Sequence, residues 1–139
     1  MSDREYQQAL KDFYSAIEKA QSARDVEGAL ATMAEDVVLL APDAPAFVGK
    51  TAVRGYYQNA FAAFAVEGSH KPEWTEIRGD VVIQWGHYSG SVKPIAGGNA
   101  IPLKSKFLFV FRRQPSGKLL AWRASMNYEA PFVMPAPAK

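Results

Sequence analysis

The sequence predicts an α+β fold in which three N-terminal helices pack on one face of a curved antiparallel sheet and enclose a cavity. Two observations predict the order of the elements. Apolar residues recur every three or four positions in the first half of the chain, and they alternate with polar residues from residue 69 onward. A third observation, the many aromatic residues on the expected inner face of the sheet, predicts the cavity.

Three helices are expected in the first half of the chain. A single apolar stripe predicts the first helix over residues 4–21. A capping-box pattern predicts the second helix over residues 23–34, and Thr51 is a suitable N-cap for the third. The apolar face of the third helix carries Tyr56 and Phe64.

Six strands are expected around and after the third helix. Short apolar runs predict strands at residues 37–40 and 47–48. Alternating patterns predict four longer strands over residues 69–78, 81–93, 102–113 and 118–129. Gly79-Asp80 is typical of a two-residue hairpin turn. Residues 1–130 are therefore expected to form a single domain, followed by a proline-rich tail over residues 131–139.

The alternation in the long strands predicts which side chains face the helices. The residues expected on the inner face are Trp85, His87, Phe107, Phe109, Phe111, Trp122 and Met126. Tyr14, Tyr56 and Phe64 are expected to meet them from the helices. A curved sheet under short helices leaves an apolar hollow with a few polar groups, so a small hydrophobic ligand is the expected partner.

Composition and motifs exclude several classes of function. The formal net charge is only +2, cysteine is absent, and the N-terminus has no apolar run typical of a signal peptide, so a cytoplasmic protein that binds neither nucleic acid nor membrane is expected. The basic residues of the second half are interpreted as a solvated sheet face, with an anion-binding stripe as the less favoured alternative. No dinucleotide fingerprint occurs and only two histidines are present, so no cofactor and no metal are expected.

Four segments carry a resemblance to a known fold: residues 33–57, 79–92, 104–122 and the dipeptide Met126-Asn127. Their order resembles the NTF2-like superfamily of cone-shaped α+β folds, also called cystatin-like. The chain is most similar to the SnoaL-like and ketosteroid-isomerase-like branch, and within it to DUF4440-type proteins. That superfamily hosts isomerases, cyclases, hydrolases and binding modules, so the resemblance implies the fold and leaves the reaction open.

The isomerase site can be compared with this chain residue by residue. The resemblance implies that Tyr14 matches a tyrosine that donates a hydrogen bond to an oxyanion. The position of the catalytic base reads Ala41, with Asp43 as the nearest carboxylate, and the position of a second acid reads Ser105. Two of the three chemical groups are therefore replaced.

Candidate roles follow from the expected inner face and from this resemblance. His87 is the predicted proton carrier, with a buried structural histidine as the alternative. Tyr14 is either an oxyanion donor or a core tyrosine, and Asp43 is either a substitute base or a solvated loop residue. The residues predicted to contact the ligand are Trp85, Tyr56, Phe64, Ser105, Phe107, Trp122 and Met126.

Three functions remain open from the sequence. The first is a cofactor-independent isomerase or cyclase that acts on a hydrophobic carbonyl compound. The second is a ligand-binding module without chemistry, which the missing carboxylates favour. The third is an assembly protein that forms a homodimer through the outer sheet face, where Lys106, Leu108, Val110, Ser125 and Asn127 are expected.

Overall fold

A computed structural model describes residues 1–133 of the chain, so residues 134–139 of the predicted tail lie outside the described residues. Within the described part, three helices and six strands form in this order: α1 Asp3–Ala23, α2 Val26–Leu30, β1 Met33–Leu40, β2 Phe47–Val48, α3 Lys50–Ala63, β3 Phe64–Arg78, β4 Val81–Pro94, β5 Ile101–Arg113 and β6 Leu119–Tyr128. The predicted α+β class with three N-terminal helices is confirmed.

The first two helices begin at side-chain caps. Ser2 and Glu5 form a capping box at the start of α1, with hydrogen bonds of 3.2 and 3.0 Å. The capping box expected at the start of α2 is wrong, because Asp25 is itself the N-cap and accepts a hydrogen bond from the Gly28 N–H at 3.0 Å. The second helix is also shorter than expected, and Met33 begins β1.

The third helix passes directly into a long strand. Phe64 closes α3 with φ −137° and ψ 145°, and it is also the first residue of β3. The predicted start of this strand at residue 69 is therefore five residues late. As a result, the described part of the chain has no loop between α3 and the sheet, and the segment before His70 belongs to the strand.

The six strands form one sheet in the order β2-β1-β6-β5-β4-β3. All neighbouring strands are antiparallel except β1 and β6, which pair in parallel. The helices cover one face, and Phe13 of α1 packs edge-on against Phe109 and Phe111 of β5 with ring centroids 6.1 and 4.7 Å apart. Among residues 1–133, no helix combines the length and apolar character that crossing a membrane requires.

The prediction for the inner face of β4 is wrong. Val82, Gln84 and Tyr88 are buried under the helices, whereas Trp85 and His87 lie on the outer face. The pairing with β5 fixes this arrangement, because residues directly opposite each other share a face, and Gln84 is opposite Phe109. The apolar side chains of β4 predict the wrong inner face because two of the true inner positions are occupied by Gln84 and Gly86.

The prediction for Trp122 is also wrong, because a bulge in β6 turns this residue outward. The pairing with β5 shifts by one residue at this point. The Trp122 indole N–H donates to Asp36 Oδ2 at 3.2 Å, and the guanidinium groups of Arg112 and Arg123 lie 4.1 and 4.3 Å from the ring centroid. Trp122 therefore stabilises the outer surface and does not contact the cavity.

Close approach of β3 and β4 requires a glycine at position 90. A Cβ atom at Gly90 would lie inside van der Waals contact with the Glu67 carbonyl oxygen, whereas a Cβ at Gly55 of α3 would meet nothing within 4 Å. We expect Gly90→Ala to lower the free energy of unfolding by about 2 kcal/mol or more, since the strands must move apart. Gly55→Ala should raise it by about 0.5–1 kcal/mol because alanine favours the helix.

Urea unfolding of the two variants and the wild type measures both effects. Equal destabilisation by the two substitutions would contradict the close approach of β3 and β4.

Candidate functional site

A cavity of about 120 Å³ lies between the C-terminal half of α1, α3 and strands β3 to β6. Its wall is largely aromatic and aliphatic. The polar residues in the lining are Gln21, Tyr56, Tyr57, His70, Tyr88, Ser105 and Tyr128. Within the described residues, no Lys, Arg, Asp or Glu side chain contributes to this lining, so the cavity has an uncharged and weakly polar interior.

His70 of β3 forms part of the cavity wall and is held by a carboxylate. Its side chain is 4% exposed, and its Nδ1 atom lies 2.8 Å from Glu18 Oε2. The same oxygen accepts a hydrogen bond from the His70 backbone N–H, also at 2.8 Å. The imidazole packs between the rings of Tyr14 and Tyr88, with centroids 4.9 and 4.8 Å away. Glu18 therefore fixes both the backbone and the ring of His70.

The charge state of His70 follows from its burial. Burial lowers the pKa of His70 below its ordinary value, and this effect exceeds the opposing hydrogen bond and charge of Glu18. The imidazole is therefore neutral at neutral pH. Because a carboxylate accepts from Nδ1, we assign the proton to Nδ1, which leaves the lone pair on Nε2 free to accept a proton.

A second, more open groove lies on the other side of His70. It has a volume of about 580 Å³, and its lining includes Glu18, Tyr14, Gln84 and Thr75 as well as His70. Since His70 borders both spaces, it separates the cavity from the groove. Glu18 is partly exposed in the groove.

Tyr14 uses its hydroxyl group within the core. The hydroxyl donates to Gln84 Oε1 at 2.5 Å, and the Gln84 amide donates to Thr75 Oγ1 at 2.7 Å. Burial raises the pKa of Tyr14, so the hydroxyl stays protonated. Tyr14 lines the groove and contacts the imidazole of His70, but it does not line the cavity, so the geometry gives no support to its predicted role as an oxyanion donor.

Two residues of the cavity lining each carry a buried polar atom that has no hydrogen-bond partner within residues 1–133. These atoms are the hydroxyl of Tyr88 and Oε1 of Gln21. Burial, followed by the charges of Glu18 and Glu67, raises the pKa of Tyr88 to about 12, so its hydroxyl is a hydrogen-bond donor at neutral pH. A Cβ at Gly68 would lie 2.6 Å from this hydroxyl, so only a glycine on β3 leaves room for it.

Comparison with known proteins identifies the family. The chain matches the family model of the SnoaL-like domain over residues 10–122. It belongs to the SnoaL-like family. This places the protein in the SnoaL-like branch of the NTF2-like superfamily, whose cone-shaped fold the described residues adopt. The finer resemblance to DUF4440-type proteins stays a prediction.

Solved structures with the same fold come from several bacteria. The SnoaL-like domain is similar to a ketosteroid isomerase-like protein from Erwinia carotovora atroseptica, with TM-score 0.79 and 22% identity over 88% of this chain and 95% of that one. It is also similar to ActVI-ORFA from Streptomyces coelicolor, with TM-score 0.74 and 14% identity over 89% and 97%. An NTF2-like protein with a cystatin-like fold from Novosphingobium aromaticivorans gives TM-score 0.70 and 16% identity over 88% and 81%.

At these identities the likeness establishes the fold alone. No curated protein sequence matches the chain. The chemistry of this SnoaL-like domain must therefore be argued from its own residues.

The structure divides the predicted ligand contacts into three groups. Tyr56, Phe64, Ser105 and Met126 line the cavity. Phe107 is buried behind the lining, with its ring centroid 5.3 Å from that of His70. Trp85 and Trp122, predicted to contact the ligand, lie on the outer face of the sheet instead.

The two predicted proton carriers are not in the cavity lining. His87 lies on the outer face, where Nδ1 is hydrogen-bonded to Glu129 and Nε2 is 3.8 Å from Glu73. Asp43 is exposed in the loop after β1 and has φ 55°, a left-handed conformation that aspartate tolerates in turns. The expectation that His87 faces the helices is wrong because the inner positions of β4 are those of Gln84, Gly86 and Tyr88.

Sequence reasoning missed His70, Glu18, Tyr88 and Gln21. The hairpin turn at residues 79–80 sets the pairing of β3 with β4, but a bulge between Pro72 and Trp74 shifts that pairing. No turn or breaker residue other than Pro72 marks the bulge in the sequence. Pro72 was therefore the only available signal that the strand changes its pairing at this point.

The hydrogen bond that the His70 ring donates to Glu18 is expected to have a measurable effect on the pKa of His70. Since Glu18 raises this pKa and burial lowers it, we expect Glu18→Gln to lower it further. Proton NMR titration of the His70 ring measures the shift, and His70→Gln identifies the signal. An unchanged or higher pKa in Glu18→Gln would contradict the arrangement.

The same shift predicts how stability depends on pH. The folded state binds the His70 proton less readily than the unfolded chain, whose histidine pKa is about 6.5. The resulting stability is fully present above that value and is lost as the pH falls through the lowered pKa. Urea midpoints between pH 7 and pH 5 should fall more steeply in Glu18→Gln than in the wild type.

Proposed function

We propose that this SnoaL-like domain catalyses proton transfer at a carbon next to the carbonyl group of a small apolar compound, as a cofactor-independent isomerase or cyclase. The observation that supports this proposal is a buried, neutral imidazole held by a carboxylate on the wall of an uncharged cavity. A general base functions best when its pKa lies near the operating pH and its orientation is fixed, and burial keeps His70 in the neutral form that can accept a proton.

Each step of the proposed reaction uses a group in or behind the cavity wall. His70 Nε2 takes a proton from the carbon next to the carbonyl, and the electron pair of that C–H bond forms an enolate. The Tyr88 hydroxyl donates a hydrogen bond to the enolate oxygen. Glu18 is a positioning residue, since it orients the imidazole and stabilises the imidazolium that forms. Where the substrate has a β,γ C=C bond, the electron pair of the enolate extends over that bond, so return of the proton from His70 to the γ carbon gives the α,β-unsaturated isomer.

The cavity lining suits an apolar reactant. Phe64 and Met126 contribute apolar surface, and Tyr56 contributes an aromatic ring that also packs on Tyr57 at 5.2 Å. Exclusion of water from such a lining strengthens the hydrogen bonds that act on the enolate. This use of His70 and Glu18 accounts for a site without carboxylates at Ala41 and Ser105.

Binding without chemistry is the second candidate, and the replaced carboxylates at Ala41 and Ser105 favour it. The two candidates differ in one observable. A catalyst exchanges the hydrogens next to the carbonyl of a bound ketone with solvent deuterium, and a binding module does not.

The two histidines provide a matched pair of variants for this measurement. We expect the wild-type protein to accelerate hydrogen–deuterium exchange at the carbons next to the carbonyl of cyclohexanone in D₂O, followed by NMR. His70→Gln should lower the protein-dependent rate by about 10²- to 10⁴-fold because the base is lost. His87→Gln should keep the rate, since His87 lies on the outer face.

Two outcomes contradict the catalytic proposal. Equal rates in the two variants would remove His70 as the base. Binding of cyclohexanone to the wild type with no exchange would leave the ligand-binding module. Circular dichroism and thermal unfolding confirm that both variants are folded before the rates are compared.

We also propose that two copies of this chain associate through the outer sheet face. Four large apolar side chains lie in one row across five strands, which we call the outer-face row: Trp74, Trp85, Leu108 and Leu40, with Ser125 between the last two. These four side chains are 47%, 41%, 47% and 44% exposed, respectively. Contiguous exposed apolar surface of this kind is typical of protein interfaces.

The charges beside the outer-face row favour a second copy as the occupant. On one side, Glu73 and Glu129 surround His87, and on the other side lies Arg123. A two-fold axis parallel to the row would place the glutamates of each copy over Arg123 of its partner. Lys71 and Lys106 also flank His87 on the side of the glutamates, so the pairing of the glutamates with Arg123 would add to the apolar centre without making the whole face complementary in charge.

Light scattering tests the association with a matched pair of substitutions. Leu108→Glu places a charge in the centre of the outer-face row and should shift the protein from dimer to monomer. Ile95→Glu alters a residue of similar exposure, 44% against 47% for Leu108, that lies in the loop after β4, and it should leave the dimer intact. A wild-type protein that is monomeric at all concentrations would overturn this proposal.

A further inference from the structure

The size of the cavity limits its ligand to about one ring. Its volume is about 120 Å³. An apolar protein cavity of about 150 Å³ accommodates benzene, so a space of this size accepts one six-membered ring and excludes two fused rings. The lining aromatic residues, among them Tyr57 and Phe61 of α3, provide surface for such a ring.

The charge of the lining limits the ligand to a neutral compound. No acidic or basic side chain of residues 1–133 lines the cavity, and its one titratable imidazole, His70, is neutral at neutral pH. An anion or cation in this space would have no opposite charge within the lining. Burial of an unpaired charge is unfavourable by far more free energy than one apolar contact contributes to binding.

The two unpartnered polar atoms define what the neutral ligand must carry. Tyr88 is 7% exposed, and its hydroxyl is held across Gly68 as a donor without an acceptor. Gln21 Oε1 is a buried acceptor without a donor. A buried donor or acceptor of this kind destabilises the protein unless it forms a hydrogen bond. An acceptor on the ligand would pair with Tyr88, and a donor on the ligand would pair with Gln21.

We infer that the cavity selects a neutral, single-ring compound that carries a hydroxyl group, with Tyr88 donating to the ligand and Gln21 Oε1 accepting from it. A phenol has this character, as does the enol form of a cyclic ketone. The inference specifies the ligand of the site used in the proposed function, and it rests on that function only for the choice of cavity. Tyr88 and Gln21 are the specificity-determining residues.

Four probes test the selection by ring size, charge and hydrogen bonding. Phenol and toluene have nearly the same shape and differ in the hydroxyl group, benzoate adds a charge, and 1-naphthol adds a ring. Dissociation constants are measured by NMR titration of the full chain. We expect phenol to bind more tightly than toluene by about 3- to 10-fold, which is the net contribution of one hydrogen bond to affinity. We expect no saturable binding of benzoate or 1-naphthol.

Substitutions locate the selection within the cavity. Tyr88→Phe keeps the ring that packs on His70 and removes the donor, so it should weaken phenol binding by about 3- to 10-fold and leave toluene binding unchanged. Gln21→Met should do the same through loss of the acceptor. His87→Gln, on the outer face, should leave the affinity for both probes unchanged.

The outcomes separate this inference from the proposed reaction. The ligand class is overturned if the wild type binds phenol and toluene with equal affinity. It is also overturned if 1-naphthol binds as tightly as phenol. Either result holds even if hydrogen–deuterium exchange of cyclohexanone depends on His70. Phenol selectivity that disappears in Tyr88→Phe supports the ligand class even if no exchange is found. If either variant fails to fold, the comparison of the four probes in the wild type still decides the question.

Discussion

The bulge in β3 between Pro72 and Trp74 determines which side chains reach the cavity. Trp74 lies on the outer face opposite Trp85, and His70 lies four residues earlier. In an uninterrupted strand these two residues would share a face. The extra residue moves His70 to the inner face, opposite Tyr88, and leaves both tryptophans outside. The candidate base and the proposed dimer surface therefore both depend on this one irregularity.

The pair formed by Glu18 and His70 connects folding to the proposed chemistry. Glu18 Oε2 accepts hydrogen bonds from both the backbone N–H and the ring N–H of His70, so loss of this carboxylate would leave two donors unpaired. An unpaired buried donor destabilises the folded state by about 1–3 kcal/mol. The same contact fixes the tautomer that a general base requires. In the proposed function this pair holds the proton acceptor, since Ala41 and Ser105 stand where the isomerase resemblance implies carboxylic acids.

Much of the fold could be predicted from the sequence, because the periods of helices and strands differ and most of the elements are long. The inner face of β5 follows from its three alternating phenylalanines, which are buried. The inner face of β4 could not be predicted in the same way, since Gln84 faces inward for a hydrogen bond with Tyr14. Bulges at Trp122 and beside Pro72 reverse the alternation, and strand periodicity carries no signal for such shifts.

The central claim is that His70 is a neutral base inside the cavity with its proton on Nδ1, held by Glu18. Two-bond ¹⁵N–¹H correlation spectra at neutral pH distinguish the two neutral tautomers and the imidazolium, and the signals missing in His70→Gln belong to this ring. We predict the neutral form with hydrogen on Nδ1. A neutral ring with hydrogen on Nε2, or a fully protonated ring, would contradict the account.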